Sequence, residues 1–376
     1  MTEFRFIHSS DLHLGRHFGS IPEPADGNIR GRLMEARHGA IGRLAAAARD
    51  HGARHVLLAG DTFETPTPSA PVLRQALAAM GEAGDLTWWL LPGNHDNLRQ
   101  AEPLWDAVRD GPGNVRALTA AVPMEMEPGA TLLPCPVEWR SAGRDPSAPL
   151  VEMPSDAGSL RIGLAHGGIT DFTESGESIP PDRDRTARLD YLGLGDWHGR
   201  MEVGPRVHYP GTPEQDRFKH GRRGACLAVT LPGPGAAPQV AEVETGAFLW
   251  ADEDLPLSPR QDTAAALEAL LPRAGRRDTL LRVRATGWTG LPEQADLASA
   301  AERAGPDFAH FELLTHHLGT HYERSDLDGI DRAGALRLAA EDLLREAEDP
   351  DRNGAERTVA GDALARLYVY VREAGQ

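Results

Sequence analysis

The sequence predicts a layered α/β domain with a smaller domain appended, and three observations point to it. Up to about residue 245, short apolar runs of strand character alternate with helical or loop segments. Four of these runs lead into glycine together with Asp, Asn or His: "HVLLAGD" (55–61), "LTWWLLPGNHD" (86–96), "LRIGLAHGG" (160–168) and "LDYLGLGDWHG" (189–199). The chain, at 376 residues, is also longer than one typical domain, so a core of roughly 200–250 residues plus an addition is expected.

The elements follow in order. An apolar run feeds "HSSDLHLG" (8–15), a first strand with Asp11 and His13 at its mouth. A carboxylate and an imidazole there need water, a partner or a cation to replace lost hydration. "NIRGRLMEARHGAIGRLAAAARDHGA" (28–53) has apolar residues at 33, 34, 41, 44, 45 and 48, which suits an amphipathic crossover helix ending at Gly52. "GACLAVTL" (224–231) and "QVAEVETG" (239–246), joined by "PGPGAAP", suit an antiparallel pair in a second sheet. From about 250 to 278 the composition shifts toward Pro, Arg and acidic residues. After that, "DTLLRVRATG" (278–287), "EQADLASAAERAG" (293–305) and "FAHFELLT" (308–315) read as a small βαβ unit. Beyond 330, Leu336, Ala339, Ala340, Leu343 and Leu344 form one helical stripe, and Ala360, Ala363, Leu364, Leu367, Tyr368 and Val371 a second. Such stripes are expected to cover their own domain. The expected divisions are 1–248, 249–325 and 326–376.

Composition narrows the function classes. No apolar run of about 20 residues is present, so no membrane span is expected. "MTEFRFIHSSD" lacks the order of a secretory signal, which makes the cytoplasm the expected location. Cys135 and Cys226 are too few for a disulfide framework or a thiolate zinc cage and read as buried thiols. The net charge of −17 opposes long-range attraction to a polyanion without excluding a local basic groove. Lys219 is the only lysine, so nearly all positive charge is arginine.

The strand ends offer Asp11, His13, Asp61, Asn94, His95, Asp96, His166, Asp196 and His198. Ligands gather at the carboxyl ends of strands in open α/β sheets, so these residues are expected to converge. Imidazole, carboxylate and amide oxygen without thiolate suit Mn²⁺, Fe²⁺ or Zn²⁺, and the set is too large for one ion. Two cations bridged by a carboxylate such as Asp61 can clamp a phosphoryl group and activate a water.

In order, "D-x-H … G-D … G-N-H-D … H-G … G-x-x-H" resembles the calcineurin-like metallophosphoesterase superfamily. Within it, "FIHSSDLHLGR" resembles the opening of the SbcD-type DNA double-strand-break repair exonucleases, and "YPGTPEQDRF" (209–218) the segment after their last metal motif. The resemblance spans roughly residues 4 to 220 and is much weaker beyond. It implies a four-layer α/β/β/α sandwich with a smaller α+β capping domain that positions DNA, followed by C-terminal helices. It also implies two divalent ions, with Mn²⁺ first and Fe²⁺ or Zn²⁺ as alternatives. By the same resemblance, Asp11, His13 and His198 bind the first ion, Asp61 bridges, and Asn94 and His166 bind the second. His95 becomes the non-ligand histidine near the leaving oxygen, donating a proton or stabilising charge on the phosphorane-like transition state, with Asp96 orienting its ring.

One departure is visible. Where the family usually reads G-H-x-H, this chain has "GDWHG", so Asp196 stands in place of a histidine, either as a shorter, charged ligand of the second ion or as a group supporting the ligands. Glu64 in "GDTFE" stands where Asp is common, in a supporting or a structural role. Candidate DNA contacts are Arg16 and His17, with Arg217, Lys219, Arg222 and Arg223 in "RFKHGRR" (217–223). The resemblance further implies DNA ends as substrate and an SMC-like coiled-coil ABC-type ATPase as partner, with the C-terminal helices docking it, and leaves a homodimer open. The expected activity is a metal-dependent DNA exo/endonuclease. The alternatives are a phosphodiesterase of nucleotides or other small phosphoesters, and a non-catalytic scaffold.

Overall fold

The computed structural model describes residues 3–23, 27–140, 143–169, 178–321, 330 and 334–374. The chain divides into two compact units, Met1–Leu249 and Trp250–Gln376.

In the first unit, strands β1 (Phe4–Ser9), β2 (His55–Leu58), β3 (Thr87–Leu90) and β4 (Val115–Ala117) run parallel in that order. A second sheet contains β5 (Met124–Glu127), β6 (Ala130–Cys135), β7 (Leu160–His166), β8 (Tyr191–Gly195), β9 (Met201–Gly204) and β10 (Val207–Tyr209), in the order β5-β6-β7-β8-β10-β9. The apolar runs are continuous because both faces of each strand are buried. Ile7, Val56, Leu58, Trp88 and Leu90 turn to an outer helical layer of α1 (Ile29–His51), α2 (Ala70–Glu82) and α3 (Glu102–Arg109). The alternate residues Phe6, Leu57, Trp89 and Leu91 meet Leu132, Ile162, Leu164 and Tyr191 between the sheets. On the far face of the second sheet, Ala165, Leu192 and Leu194 pack with Leu150, Ala187 and Leu189, around a 3₁₀ turn (Ala148–Val151) and the short helix α4 (Arg183–Thr186). The α/β/β/α order of layers is the expected one.

Helix α1 begins where the Asn28 side chain accepts from Gly31 N–H at 3.2 Å, and it ends at Gly52 in the left-handed region (φ 67°). One expectation is corrected. Strands β11 (Arg223–Leu231) and β12 (Gln239–Leu257) do form an antiparallel pair, but β11 also pairs with β1 and so joins the first sheet. The two faces of β11 divide between different cores: Cys226 and Ala228 pack toward the helices, Leu227 and Val229 toward the second sheet. Such a strand belongs in the interior of the first sheet. The two cysteines are free and buried.

In the second unit, the part of β12 after Leu249 lies beside β13 (Thr279–Gly290), which pairs in parallel with β14 (His310–His321) across α6 (Leu291–Ala304). That is the expected βαβ unit. The stretch read only as a composition shift contains an additional helix, α5 (Thr263–Leu270), capped by Asp262. The closing helices Ala335–Glu348 and Gly354–Ala374 bury Ala340, Leu364 and Tyr368 against Leu291 and Ala295 of α6, so their stripes cover their own unit. The expected boundary at 325/326 lies outside the described residues. None of the described helices is long and apolar enough to cross a membrane.

Candidate metal centre

Parallel pairing of β1, β2 and β3, and of β7 and β8, sends the carboxyl ends within each sheet the same way. Just past those ends lie Asp11 and His13, then Asp61, then Asn94 and His95, then His166 as the last residue of β7, then Asp196 and His198. Asp11, His13, Asp61 and Asp196 adopt positive φ of 56°, 44°, 52° and 100°. Each such non-glycine position costs about 1–3 kcal/mol and persists only where its surroundings enforce it. Here the enforcement is lacing between two loops: Asp11 N–H donates to Gly60 O (3.1 Å), His13 N–H to Asp61 O (2.9 Å) and Leu14 N–H to Thr62 O (2.9 Å). Asp196 N–H donates to Asp11 Oδ2 at 3.1 Å.

Three clusters of potential ligand atoms result among the described residues, one of them formed by His13, Glu64 and His95. In the first of the other two, His13 Nε2 and His198 Nε2 face each other at 3.1 Å, 3.8 and 3.9 Å from Asp11 Oδ1. In the second, His166 Nε2 lies 3.5 Å from Asp61 Oδ2 with Asp11 near by. Asp61 Oδ2 is also 3.7 Å from His13 Nε2, which places it between the groups. Asp11 belongs to both groups, where the sequence assigned it to one.

The residues fit divalent cations on three counts. Two of the histidines have their other nitrogen hydrogen-bonded to an acceptor, His166 Nδ1–H to Ala59 O (2.8 Å) and His198 Nδ1 to Asp216 Oδ1 (3.3 Å), while His13 Nδ1 lies 2.9 Å from Glu64 Oε2 without hydrogen-bond geometry. This is the support that a ligating imidazole needs. His166 Nε2 and Asn94 Oδ1 are buried with no hydrogen-bond partner, a costly state for polar atoms unless a ligand completes them. Third, three carboxylates crowd together. Burial and the Asp11 charge push the Asp196 carboxyl up, whereas burial of Asp61 is outweighed by His166, His13 and His95, which hold it below the usual range.

Asp196 accepts from Asn94 Nδ2 at 3.1 Å and lies 3.8 Å from His166 Nε2, at the mouth of the second group. His95 sits edge-on to His13, ring centroids 4.8 Å apart, with its N–H donating to Asp61 Oδ1 at 2.9 Å. Its Nδ1–H donates to the Glu64 carbonyl (2.8 Å).

The expected role of Asp96 is corrected. Its oxygens accept from Gly93 N–H (2.7 Å) and Phe63 N–H (3.1 Å), so it ties two loops together and does not hold the His95 ring. Burial and the neighbouring Asp61 charge push its carboxyl up to about 7. Glu64 does what was expected of Asp96, positioning His95 through its carbonyl as well as His13 through its carboxylate.

The basic candidates are not free cations. Arg16 pairs with Glu64 and Asp216, Arg217 with Asp216, Arg222 with Glu242 and Arg223 with Glu244. Lys219 Nζ lies 4.3 Å from the centre of the Trp197 ring, and His17 is exposed.

Two residues escaped the sequence reading. Arg37 is buried in α1, donating to Leu12 O and lying 3.4 Å from Asp216 Oδ2. Its signal was a charged residue on the apolar stripe, one turn from both Leu33 and Ile41. Asp216 lay unremarked within "YPGTPEQDRF". Burial pushes its carboxyl up, but the hydrogen bond from His198 and the Arg37 charge hold it well below the carboxylate range.

The calcineurin-like phosphoesterase family matches residues 4–198. A relative from Bacillus subtilis (strain 168), named uncharacterized metallophosphoesterase YhaO, is 28% identical over 252 residues, covering 62% of this chain and 59% of that protein. The chain thus matches under two thirds of that relative's length. Among solved structures, TT1561 of Thermus thermophilus is similar at 12% identity and a TM-score of 0.41, covering 64% of this chain and 99% of that one. Purple acid phosphatase PPD1 from yellow lupin seeds is similar at 10% identity and a TM-score of 0.36, covering 65% and 52%.

Proposed function

The chain belongs to the calcineurin-like phosphoesterase family, and from that premise we propose that it is a metal-dependent DNA exo/endonuclease subunit acting at DNA ends in double-strand-break repair. The observation that carries this reading is how "YPGTPEQDRF" is built into the site. Thr212 Oγ1 donates to Asp11 O at 2.9 Å and Asp216 faces His198, and the chain then runs directly into the basic segment 217–223. Breaking surface ion pairs costs about 0–1 kcal/mol each, so Arg222 and Arg223 remain available to a phosphate backbone, whereas Arg217 is engaged by the buried Asp216.

The residues divide the work. Bound divalent cations, Mn²⁺ in this proposal with Fe²⁺ or Zn²⁺ as alternatives, supply Lewis acidity for the phosphate and for an attacking water. His13 and His198 would hold the first position, Asn94, His166 and Asp196 the second, with Asp11 and Asp61 placed to reach both. His95, oriented by the Glu64 carbonyl that accepts from Nδ1–H, would donate a proton from Nε2 to the leaving oxygen when the ring is the doubly protonated imidazolium, and would be left as the neutral Nδ1–H imidazole. The second unit positions the DNA end. An SMC-like ATPase partner would supply further DNA surface and dock on the last two helices, where Leu336, Leu338, Val359 and Tyr370 are exposed.

The acidic total and the carboxylate partners of the basic cluster favour a second reading, hydrolysis of nucleotides or other small phosphodiesters. One assay separates the two. Purified protein, with and without a co-expressed ATPase of that class, is given Mn²⁺ and duplexes of defined ends beside bis-p-nitrophenyl phosphate. Nucleotide release from duplex, abolished in Asp61→Ala, supports the nuclease. Diester hydrolysis with duplex intact, in the presence of the ATPase, overturns it in favour of the small-substrate enzyme.

A further inference from the structure

A ligating imidazole must present a lone pair to its cation, so its proton has to reside on the other ring nitrogen. For His166 a backbone carbonyl secures this, because a carbonyl can only accept. His198 has no such carbonyl. Its Nδ1 has two polar neighbours of opposite effect, Asp216 Oδ1 at 3.3 Å and Arg217 Nη2 at 3.2 Å. The carboxylate would hold the proton on Nδ1 and free Nε2 for a cation. The guanidinium, if it donated to Nδ1, would force the proton onto Nε2 and close the site.

The surroundings favour the carboxylate. Arg217 directs Nε–H at Asp216 Oδ1 (2.9 Å) and one Nη2–H at Oδ2 (3.3 Å), so two of its hydrogens have a carboxylate, a stronger acceptor than an imidazole. Asp216 is buried, with two further guanidinium groups at ion-pair distance, Arg16 at 3.3 Å and Arg37 at 3.4 Å, the Arg37 Nη2 forming no hydrogen bond. Arg37 also donates to Leu12 O, between the strained residues Asp11 and His13. One carboxylate and one buried arginine therefore connect the His198 ring to the turn that carries the other two ligands of the first group.

We propose that Asp216, held by Arg37, is the positioning residue that sets the tautomer and orientation of His198, and thereby the affinity of the first cation position. This rests on His198 being a cation ligand. An asparagine at 216 has one acceptor oxygen and an amide NH₂ that cannot face three guanidinium groups. The oxygen turns to the arginines and the NH₂ to His198 Nδ1, moving the proton to Nε2.

The test uses the full chain. In metal-free wild-type protein, ¹⁵N NMR of the His198 ring should show the Nδ1–H tautomer; Asp216→Asn should shift it to Nε2–H. Titration with MnCl₂ should show the first site weakened about 10–100-fold in Asp216→Asn and the second within twofold of wild type. Wild-type His198 protonated on Nε2 overturns the proposal even if the variant does not fold. So does a variant that binds both ions as tightly as wild type, or one that weakens both equally, which would indicate a general charge or packing effect. His198→Ala checks the premise separately: retention of both ions there refutes the ligand assignment, and loss of one ion leaves Asp216 as the question the other variant decides.

Discussion

Replacing Gly60 with alanine should damage the centre without touching any ligand. Gly60 lies at the end of β2 with φ 94°, a conformation that costs an L-residue about 1–3 kcal/mol. A Cβ there would press on His166 Nδ1, lie 2.6 Å from its Cγ and 2.9 Å from Gly93 Cα. The ring has to move, and the His166 Nδ1–H bond to Ala59 O is lost, about 0.5–1.5 kcal/mol more. Together these predict a loss of about 2–4 kcal/mol, which lowers the melting temperature by roughly 5–15 °C for a domain of this size. Displacing His166 should also weaken one Mn²⁺ site about 10–100-fold. Thermal melts of metal-free protein and calorimetric titration with MnCl₂ measure both. A Gly60→Ala protein that melts within 1 °C of wild type and binds Mn²⁺ equally well would refute the close approach and the ligand role of His166 together.

Two further outcomes follow from the geometry. His95→Ala should slow hydrolysis of an activated diester about 10²–10⁴-fold while both Mn²⁺ ions stay bound; loss of an ion in the titration would show His95 to be a ligand. His8 is buried between the sheets with Nδ1 2.9 Å from the Tyr191 hydroxyl, and burial, with His208 and Arg200 adding to it, lowers its imidazole from 6.5 to about 3. The unfolded chain therefore takes up this proton first, and stability should fall as pH drops from 6.5 toward 3, by up to about 1.4 kcal/mol per unit. Urea melts between pH 4.5 and 6.5 should show a shallower dependence in His8→Asn, and parallel curves would count against a neutral buried His8.

Much of the centre was legible because its ligands occupy a place that local pattern reveals. A buried strand reads as an apolar run, and a polar residue just past it marks the carboxyl end where ligands collect. Asp11, Asp61, Asn94, His166 and Asp196 were found that way, and the structure brings them together. Asp96 was misplaced because adjacency to His95 in sequence implies nothing about side-chain direction at a turn; its carboxylate points to the Gly93 and Phe63 amides instead.

The amino-acid order alone determined strands β1, β2, β3, β7, β8, β11 and the start of β12, the crossover helix α1, the βαβ unit after residue 278 and the set of ligand types, since each depends on periodicity or on chemistry within a few residues. Tertiary structure decided that β11 joins the first sheet, that Glu64 and not Asp96 orients His95, and that Arg37 and Asp216 meet behind His198. It also decided that the arginines of 217–223 carry carboxylate partners. Those outcomes depend on the distance between side chains remote in sequence, and that distance exists only once two sheets have packed around a common core.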